Sequence, residues 1–294
     1  MSKIKGIYAA SISVLNDDLS LNVEKTILHA ESLIDEGCHG VALFGSTGQA
    51  QLISIAEKIK LLNTLVLSKY KDYYLIGTGL NSLSETIGLM KIALSLKFKK
   101  FLIMPPAFYK YHDDEVIEFY SKLIEANPEC EIILYNFEKL SGYKFSIECI
   151  YKLVEKFPKQ IVGIKDSTYN IFENLKLNNF SILPGSELKL LKGLELGCTG
   201  IITATCNVTA QLSRKVYDDF FNGTEQTVNK KLCDVRIAFE KYNLISGLHA
   251  YLSKNDLSFK NILPPLKLLK EEDQKKLFES LEIINFSYKP KMVA

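Results

Sequence analysis

Short apolar runs alternate with amphipathic segments up to about residue 223 of this 294-residue chain, and this alternation constrains the fold more than any other feature. Most of the runs are nearly continuous in apolar residues, as is typical of parallel strands that are covered on both faces. There are eight such runs, at residues 7–13, 40–44, 74–79, 101–106, 130–136, 161–167, 181–186 and 200–205. The pattern therefore predicts eight buried parallel strands.

Apolar residues recur at helical spacing in the segments between the runs. The clearest of these segments are 21–36, 54–69, 82–96, 113–126, 146–157, 187–196 and 209–221. The segment 170–177, between the sixth and seventh strands, has the weakest helical pattern. Eight strand-then-helix units favour an α/β fold of the (β/α)8 TIM-barrel type. An open doubly wound sheet is the alternative, but no G-x-G-x-x-G motif follows the first strand.

The last part of the chain, residues 224–294, lies beyond the eighth unit. Its pattern predicts helices at about 226–253 and 271–283, with the segment ILPPLK (262–267) as a break between them. No low-complexity linker separates this part from the rest. We therefore predict a barrel over residues 1–223 and a helical C-terminal extension of the same domain over residues 224–294.

Charge and composition narrow the class of protein. The net charge is +2, from 36 basic and 34 acidic residues without a basic block, so neither nucleic acid nor a lipid surface is an expected partner. No run reaches the ~18 apolar residues of a membrane span, which favours a cytoplasmic protein. The six cysteines are scattered and the four histidines lack metal-ligand spacing, so we predict reduced thiols and no metal site.

Polar residues stand at the carboxyl ends of the predicted strands, which is where such barrels carry their active sites. The sixth strand ends at Lys165. A buried ammonium is costly unless it is paired or has lost its proton. Lys165 is thus either a solvated loop lysine or an amine placed for chemistry. The fifth strand ends at Tyr135, which is either a catalytic phenol or an aromatic residue that closes the barrel.

The second strand is followed by the motif GSTGQ, residues 45–49. We expect this small loop to enter a helix, so that its hydroxyls, its N–H groups and the helix dipole hold an anion. An ordinary tight turn is the alternative. Taken together, an amine, a phenol and an anion cradle at one barrel mouth are the groups that imine chemistry needs.

Three motifs carry a resemblance to a known family. GSTGQ, the segment YN…LSG (135–142) and GIKDS (163–167) fall in this order at the ends of strands 2, 5 and 6. The pattern resembles the dihydrodipicolinate synthase / N-acetylneuraminate lyase superfamily of pyruvate-dependent class I aldolases, over about residues 4–290. The resemblance implies a Schiff-base lyase or aldolase that cleaves or forms a C–C bond between pyruvate and an aldehyde. It implies no metal and no cofactor.

The resemblance also implies the roles of individual residues. Lys165 would form the Schiff base with pyruvate or another 2-oxo acid, and Tyr135 would act as general acid and base. Thr47 would relay protons, and Ser46 would bind the substrate carboxylate together with the Thr47 amide. Two further positions, Gly185 and Ile202, would line the imine pocket with their backbone.

Departures from the family pattern bear on the substrate. The synthases carry an arginine five residues after the strand-5 tyrosine, where this chain has Leu140. Of the positions that bind the sugar tail in neuraminate lyases, Glu187 fits and Leu188 and Ala204 do not. We therefore expect a 2-keto-3-deoxy sugar acid or a similar 2-oxo acid as substrate, with Glu187 binding its hydroxyls. The alternative is a 4-hydroxy-tetrahydrodipicolinate synthase that condenses pyruvate with aspartate semialdehyde. A non-catalytic ligand-binding barrel is a remoter alternative.

Two further departures concern the loop residues. The family's usual proline three residues after the tyrosine is Glu138 here. A tyrosine that reaches into the neighbouring subunit's site in the synthases aligns with Phe108, or with Tyr109 after a shift of one residue. If Phe108 holds this position, the proton relay lacks its third hydroxyl. The resemblance implies a homotetramer or a homodimer built across this loop.

Overall fold

A computed structural model of the chain describes residues 4–288. All eight predicted strands are present within it, and each is one or two residues shorter than its apolar run. They are β1 (Gly6–Ala10), β2 (Gly40–Leu43), β3 (Tyr74–Gly77), β4 (Lys100–Ile103), β5 (Glu131–Asn136), β6 (Ile161–Asp166), β7 (Ser181–Pro184) and β8 (Gly200–Thr203).

The strands form a single parallel sheet that curls into a nearly closed barrel. Each strand pairs with the next from β1 to β7, and β8 pairs with β1. At the remaining seam, the backbone N–H of Thr199 donates a hydrogen bond of 3.0 Å to the carbonyl of Ile182. The predicted (β/α)8 TIM barrel is confirmed, and the open doubly wound sheet is wrong.

The helices follow the amphipathic segments. Four of the barrel helices begin at side chains that cap the free N–H groups of the first turn, as in the capping box of Ser54 and Glu57. The helices of the barrel are α1 (Val23–Asp35), α2 (Ile55–Leu65), α3 (Leu83–Ser95), α4 (Asp113–Ala126), α5 (Glu138–Ser141), α6 (Ile147–Lys156), α7 (Leu190–Glu195) and α8 (Cys206–Asn222).

One unit of the barrel lacks its helix. Residues 167–180, between β6 and β7, form bends and turns, so the weak helical pattern at 170–177 does not produce a helix. The carboxylate of Asp166 explains this loop, because it accepts hydrogen bonds from four backbone N–H groups that follow it: those of Thr168, Tyr169, Ile171 and Phe172. The loop therefore folds around a side chain at the end of β6.

Apolar side chains fill the barrel on both faces of the sheet. Every second residue of a strand points into the barrel, and these inward residues include Tyr8, Leu75, Ile133 and Leu183. Their neighbours point outward and pack against the helices. This alternation along each strand explains why the runs read as continuous apolar segments.

The C-terminal extension is helical. It contains α9 (Asn229–Glu240), α10 (Leu244–Ser253) and α11 (Glu271–Ile283). The prediction of one helix over 226–253 is wrong, because the chain turns at residues 241–243 and Asn243 caps a new helix. The helix predicted at 271–283 is confirmed.

The extension packs on the barrel through an apolar cluster that includes Ile12, Val208, Phe239 and Leu248. Its position brings the end of α9 over the carboxyl ends of the strands. Our proposed division remains 1–223 and 224–294, of which residues 1–3 and 289–294 lie outside the described residues. None of the helices within residues 4–288 is long and apolar enough to cross a membrane.

Candidate active site

The register between β5 and β6 places two of the predicted residues side by side. Tyr135 pairs with Lys165 and Asn136 pairs with Asp166. Side chains of paired residues in parallel strands lie on the same face of the sheet. The Tyr135 ring belongs to the inner cluster of the barrel, and the Lys165 Nζ atom lies 4.2 Å from the centroid of that ring.

Lys165 is buried, with 3% of its surface exposed, yet it lines an open cavity at the barrel mouth. Within residues 4–288, no carboxylate lies close enough to Lys165 to form an ion pair. The lysine is therefore not a solvated loop residue. Its amine faces the cavity without a salt bridge and, once deprotonated, is available as a nucleophile.

The loop 45–49 contributes hydroxyls in an arrangement that differs from the expected one. The Ser46 Oγ atom lies 2.9 Å from the Tyr135 hydroxyl, at hydrogen-bond distance. No such contact links Thr47 with Tyr135 in the described part of the chain. The structure therefore places Ser46, and not Thr47, next to the phenol.

The same loop does not lead directly into a helix. Residues 44–52 form turns and bends, and α2 begins only at Ile55. The expected contribution of a helix dipole at Ser46 and Thr47 is therefore wrong. The turn is instead fixed by the Ser13 hydroxyl, which donates to the carbonyl of Gly48 at 2.7 Å. The backbone N–H of Thr47 has no acceptor among residues 4–288 and is free to bind an anion.

Gly185 and Ile202 take different positions. Gly185 follows β7 and lines the cavity, and a Cβ atom there would lie only 2.2 Å from the Ser167 Oγ atom. A larger residue would thus force this loop away from the site. Ile202 is fully buried inside the barrel and belongs to the inner apolar cluster with Tyr135.

Glu187 does not reach the cavity. Its carboxylate is fully buried and accepts hydrogen bonds from three threonine hydroxyls: Thr203 at 2.7 Å, Thr205 at 2.7 Å and Thr209 at 3.2 Å. The Arg236 Nη1 atom lies 3.2 Å from it. Because these groups already use both carboxylate oxygens, the expectation that Glu187 presents an acceptor to substrate hydroxyls is wrong.

Arg236 occupies the position over the cavity that was expected for Glu187. It lies on α9, and its Nε atom donates to Glu240 at 2.7 Å while its Nη1 atom contacts Glu187. Burial by itself lowers the pKa of Arg236, but the two carboxylates outweigh this and raise it. The cavity therefore contains a permanently charged guanidinium, although this chain has Leu140 at the position where the synthases carry an arginine. Leu140 itself is 43% exposed.

The cavity has a volume of about 210 Å³. Five of the predicted residues line it: Ser46, Thr47, Tyr135, Lys165 and Gly185. The remaining lining residues are Phe137, Lys139, Ser167, Tyr169, Ala204, Arg236, Glu240 and Leu244. Two of the predicted binding residues, Glu187 and Ile202, are not among them.

Sequence reasoning missed Tyr169, Arg236 and Glu240. Tyr169 has a φ of 64°, a left-handed backbone that is uncommon for a tyrosine, and burial raises the pKa of its hydroxyl. The one sequence signal for Tyr169 was the weak helical pattern after β6, which is typical of an irregular loop. The spacing of Arg236 and Glu240 shows that they share a helix face, but it does not show which face lies over the barrel mouth.

An open-mouthed (β/α)8 barrel with a buried lysine beside a tyrosine defines the class of lysine-dependent barrel lyases. Comparison with known proteins specifies it further. The model of the dihydrodipicolinate synthetase family matches residues 3–284. The chain belongs to this family, and it is a class I lyase that forms a Schiff base and acts on a C–C bond between pyruvate and an aldehyde.

The relatives match this chain over nearly the whole length of both proteins. An uncharacterized DapA-like lyase of Chloroflexus aurantiacus is 28% identical over 93% of this chain and 94% of its own length. A 4-hydroxy-tetrahydrodipicolinate synthase of Methanopyrus kandleri is 27% identical over 95% and 96%. The fold is also that of YagE from Escherichia coli K12, with a TM-score of 0.87 and 21% identity over 97% of this chain and 99% of that one.

Proposed function

We propose that this protein is a pyruvate-dependent aldolase that acts on a 2-keto-3-deoxy sugar acid or a similar hydroxylated 2-oxo acid, with Lys165 as the Schiff-base lysine. The observation that carries the proposal is the pairing of Lys165 with Tyr135, which sets a buried amine and a phenol on one face at the cavity. YagE was crystallised in complex with pyruvate, which supports the same ligand here.

The first step is the attack of the Lys165 amine on the keto carbon of the 2-oxo acid. Water leaves, and a protonated imine joins the lysine nitrogen to that carbon. The imine at C2 accepts the electron pair of the C3–C4 bond, which becomes the C2=C3 double bond of an enamine. Cleavage of the C3–C4 bond releases an aldehyde and leaves the enamine of pyruvate, and the reverse reaction forms the bond. Protonation and hydrolysis of the enamine then release pyruvate and restore the amine.

Tyr135 is the group that we assign to proton transfer, because its hydroxyl lies at the same mouth as Lys165. The substrate hydroxyl must lose its proton when the C–C bond breaks, and the Tyr135 oxygen takes it while its own proton passes through Ser46 to solvent. Ser46 is within hydrogen-bond distance of this phenol, so we assign the relay to Ser46 rather than to Thr47.

Thr47 takes the other role of the loop. Its backbone N–H is free among the described residues, and its side chain lines the cavity. A free backbone N–H beside a hydroxyl is a good partner for a carboxylate. We therefore propose that Thr47, with the Ser46 backbone, holds the carboxylate of the 2-oxo acid next to Lys165.

Reductive trapping tests this proposal. Pyruvate with sodium borohydride should convert the imine into a stable secondary amine, which mass spectrometry detects on the peptide that contains residue 165. Lys165→Ala should give no adduct. Lys139→Ala is the matched control, because it removes the other lysine that lines the cavity and should still be labelled. An adduct in Lys165→Ala, or its loss in Lys139→Ala, would contradict the assignment.

The alternative is a 4-hydroxy-tetrahydrodipicolinate synthase, and it is supported by the 27% identity to the Methanopyrus kandleri synthase over 95% of this chain. Arg236 is the guanidinium at the cavity, but Glu187 and Glu240 already pair with it. Steady-state kinetics with pyruvate and aspartate semialdehyde, compared with cleavage of a 2-keto-3-deoxy sugar acid, separate the two. A clearly faster reaction with aspartate semialdehyde would establish the synthase.

We further propose a cytoplasmic homotetramer, or a homodimer, assembled across the loop that follows β4. Phe108 and Tyr109 are 92% and 79% exposed there. Large exposed aromatic residues are typical of interface cores. Light scattering that finds a monomer at micromolar concentration would contradict the assembly.

A further inference from the structure

The end of α9 forms one wall of the cavity and comes from the C-terminal extension. Arg236 and Glu240 line the cavity from successive turns of α9, and Leu244 lines it from the start of α10. Of these, Arg236 is held most firmly. Its Nη1 atom contacts the Thr203 and Thr205 hydroxyls at 3.0 and 3.1 Å. The Arg236 side chain is 8% exposed, so its orientation is fixed by buried partners.

The charge of this guanidinium is balanced by its neighbours. Glu187 lies beneath it and Glu240 lies beside it at the cavity wall. Two carboxylates against one guanidinium leave no excess positive charge for a further carboxylate. A substrate carboxylate that bound to Arg236 would also lie close to the Glu240 carboxylate, and the two negative charges would repel each other. The wall is therefore unfavourable for an anionic substrate end.

The same wall offers a donor and an acceptor side by side. Among the described residues, nothing accepts a hydrogen bond from the Arg236 Nη2 atom, and nothing donates one to the Glu240 Oε2 atom. The Glu240 side chain is 40% exposed. A hydroxyl both donates and accepts, so two neighbouring hydroxyls match this pair.

We infer that Arg236 and Glu240 form the subsite that recognises hydroxyls on the distal part of the substrate. Arg236 donates to one hydroxyl oxygen through Nη2, and Glu240 accepts a hydrogen bond from the neighbouring hydroxyl. The inference rests on the proposed function, because a substrate bound as an imine on Lys165 extends along the cavity towards α9. The hydroxyls of the substrate would then be bound by residues of the C-terminal extension, and not by Glu187 as the sequence predicted.

Three aldehydes test the subsite in the condensation direction with pyruvate. Glyceraldehyde carries two hydroxyls, propionaldehyde has the same number of carbons without them, and succinate semialdehyde carries a distal carboxylate. The parent protein should have the highest kcat/KM with glyceraldehyde. A site that binds hydroxyls discriminates against analogues that lack them, by up to ~10⁴-fold. A preference for succinate semialdehyde, or equal kcat/KM for glyceraldehyde and propionaldehyde, would overturn the inference.

Glu240→Ala removes the acceptor and should lower the ratio of kcat/KM for glyceraldehyde over propionaldehyde by about tenfold or more, as expected for a hydrogen bond to a charged group. Asp234→Ala is the matched control, since it removes a carboxylate from the same helix that pairs with Lys230 and does not line the cavity. Arg236→Lys keeps a cation for Glu187 and loses the Nη2 donor, so it should lower the same ratio.

The design separates failure of the subsite from failure of the proposed function. Pyruvate trapping by borohydride in the parent protein reports on Lys165 alone. If the parent is not trapped, the proposed function fails and this inference fails with it. If the parent is trapped and the glyceraldehyde ratio of Glu240→Ala stays within threefold of the parent, only the subsite is overturned. Circular dichroism establishes that each variant is folded, and Glu240→Gln, which keeps the side-chain volume, supplies a second measurement of the same ratio.

Discussion

Removal of one hydroxyl, in Tyr135→Phe, should separate catalysis from folding in this protein. The substitution keeps the ring, and with it the contact of 4.2 Å between the ring and Lys165 Nζ. The contact that it removes is the 2.9 Å hydrogen bond with Ser46. A hydrogen bond between two neutral groups contributes about 1 kcal/mol to the free energy of unfolding. For a domain of this size that corresponds to a Tm that falls by about 2–4 °C.

The effect on turnover should be far larger. General acid and base catalysis by a positioned side chain typically contributes ~10²–10⁴-fold. This corresponds to roughly 3–5 kcal/mol in the activation barrier, several times the expected loss of stability. The assay is kcat for pyruvate release from a 2-keto-3-deoxy acid, measured alongside thermal unfolding of the same sample.

Tyr120→Phe is the matched control for this experiment. Tyr120 is also a buried tyrosine with a hydrogen-bonded hydroxyl, which donates to the carbonyl of Ile103 at 2.8 Å, but it lies on α4 outside the cavity. It should lose similar stability and keep its turnover. A Tyr135→Phe protein with kcat within fivefold of the parent would refute the assignment of Tyr135 to proton transfer, and a large loss of kcat in Tyr120→Phe would show that the assay reports folding.

Two predictions concern stability. Asp166→Asn should lower the free energy of unfolding by about 2–4 kcal/mol, because the charged acceptor of four backbone N–H groups is lost; an unchanged urea midpoint would contradict this. Burial lowers the pKa of His29 and of His249 to about 4, below the ~6.5 of the unfolded chain. Protonation therefore favours the unfolded chain, and their stabilising effect should be complete above about pH 6.5 and lost as the pH falls towards 4. If the urea midpoint does not change between pH 6.5 and pH 4, the histidines do not make the stability depend on pH in this way.

The strands, and the strand ends that carry Lys165 and Tyr135, were predictable because the signals that define them are local. A buried parallel strand is a short apolar run, and eight of them in a row favour a barrel. Lys165 and Tyr135 were found because each stands at the carboxyl end of such a run, so the barrel rule alone brings them to the same mouth. The missing helix after β6 could not be predicted from periodicity. It is decided by Asp166, whose carboxylate holds the loop through contacts that a helical pattern does not show.

The distal side of the site was the part that sequence reasoning placed wrongly. Glu187 follows β7 and was expected at the mouth, but the hydroxyls of Thr203 and Thr205 draw its carboxylate into the interior. A buried carboxylate needs such partners, and they come from another strand end. Likewise, the motif does not show whether Ser46 or Thr47 hydrogen-bonds to Tyr135, because this depends on the directions of two adjacent side chains in a turn.

The sequence by itself determined the (β/α)8 barrel, the family and the position of Lys165 at the barrel mouth, because these follow from periodicity and from motifs within a few residues of a strand end. The tertiary structure alone decided what surrounds Lys165. Arg236 reaches the cavity from a helix that begins at Asn229, beyond the barrel, and its partner Glu187 is 49 residues away in sequence. Only packing of the extension on the barrel brings these charges together, because contacts between distant segments leave no periodic trace in either segment.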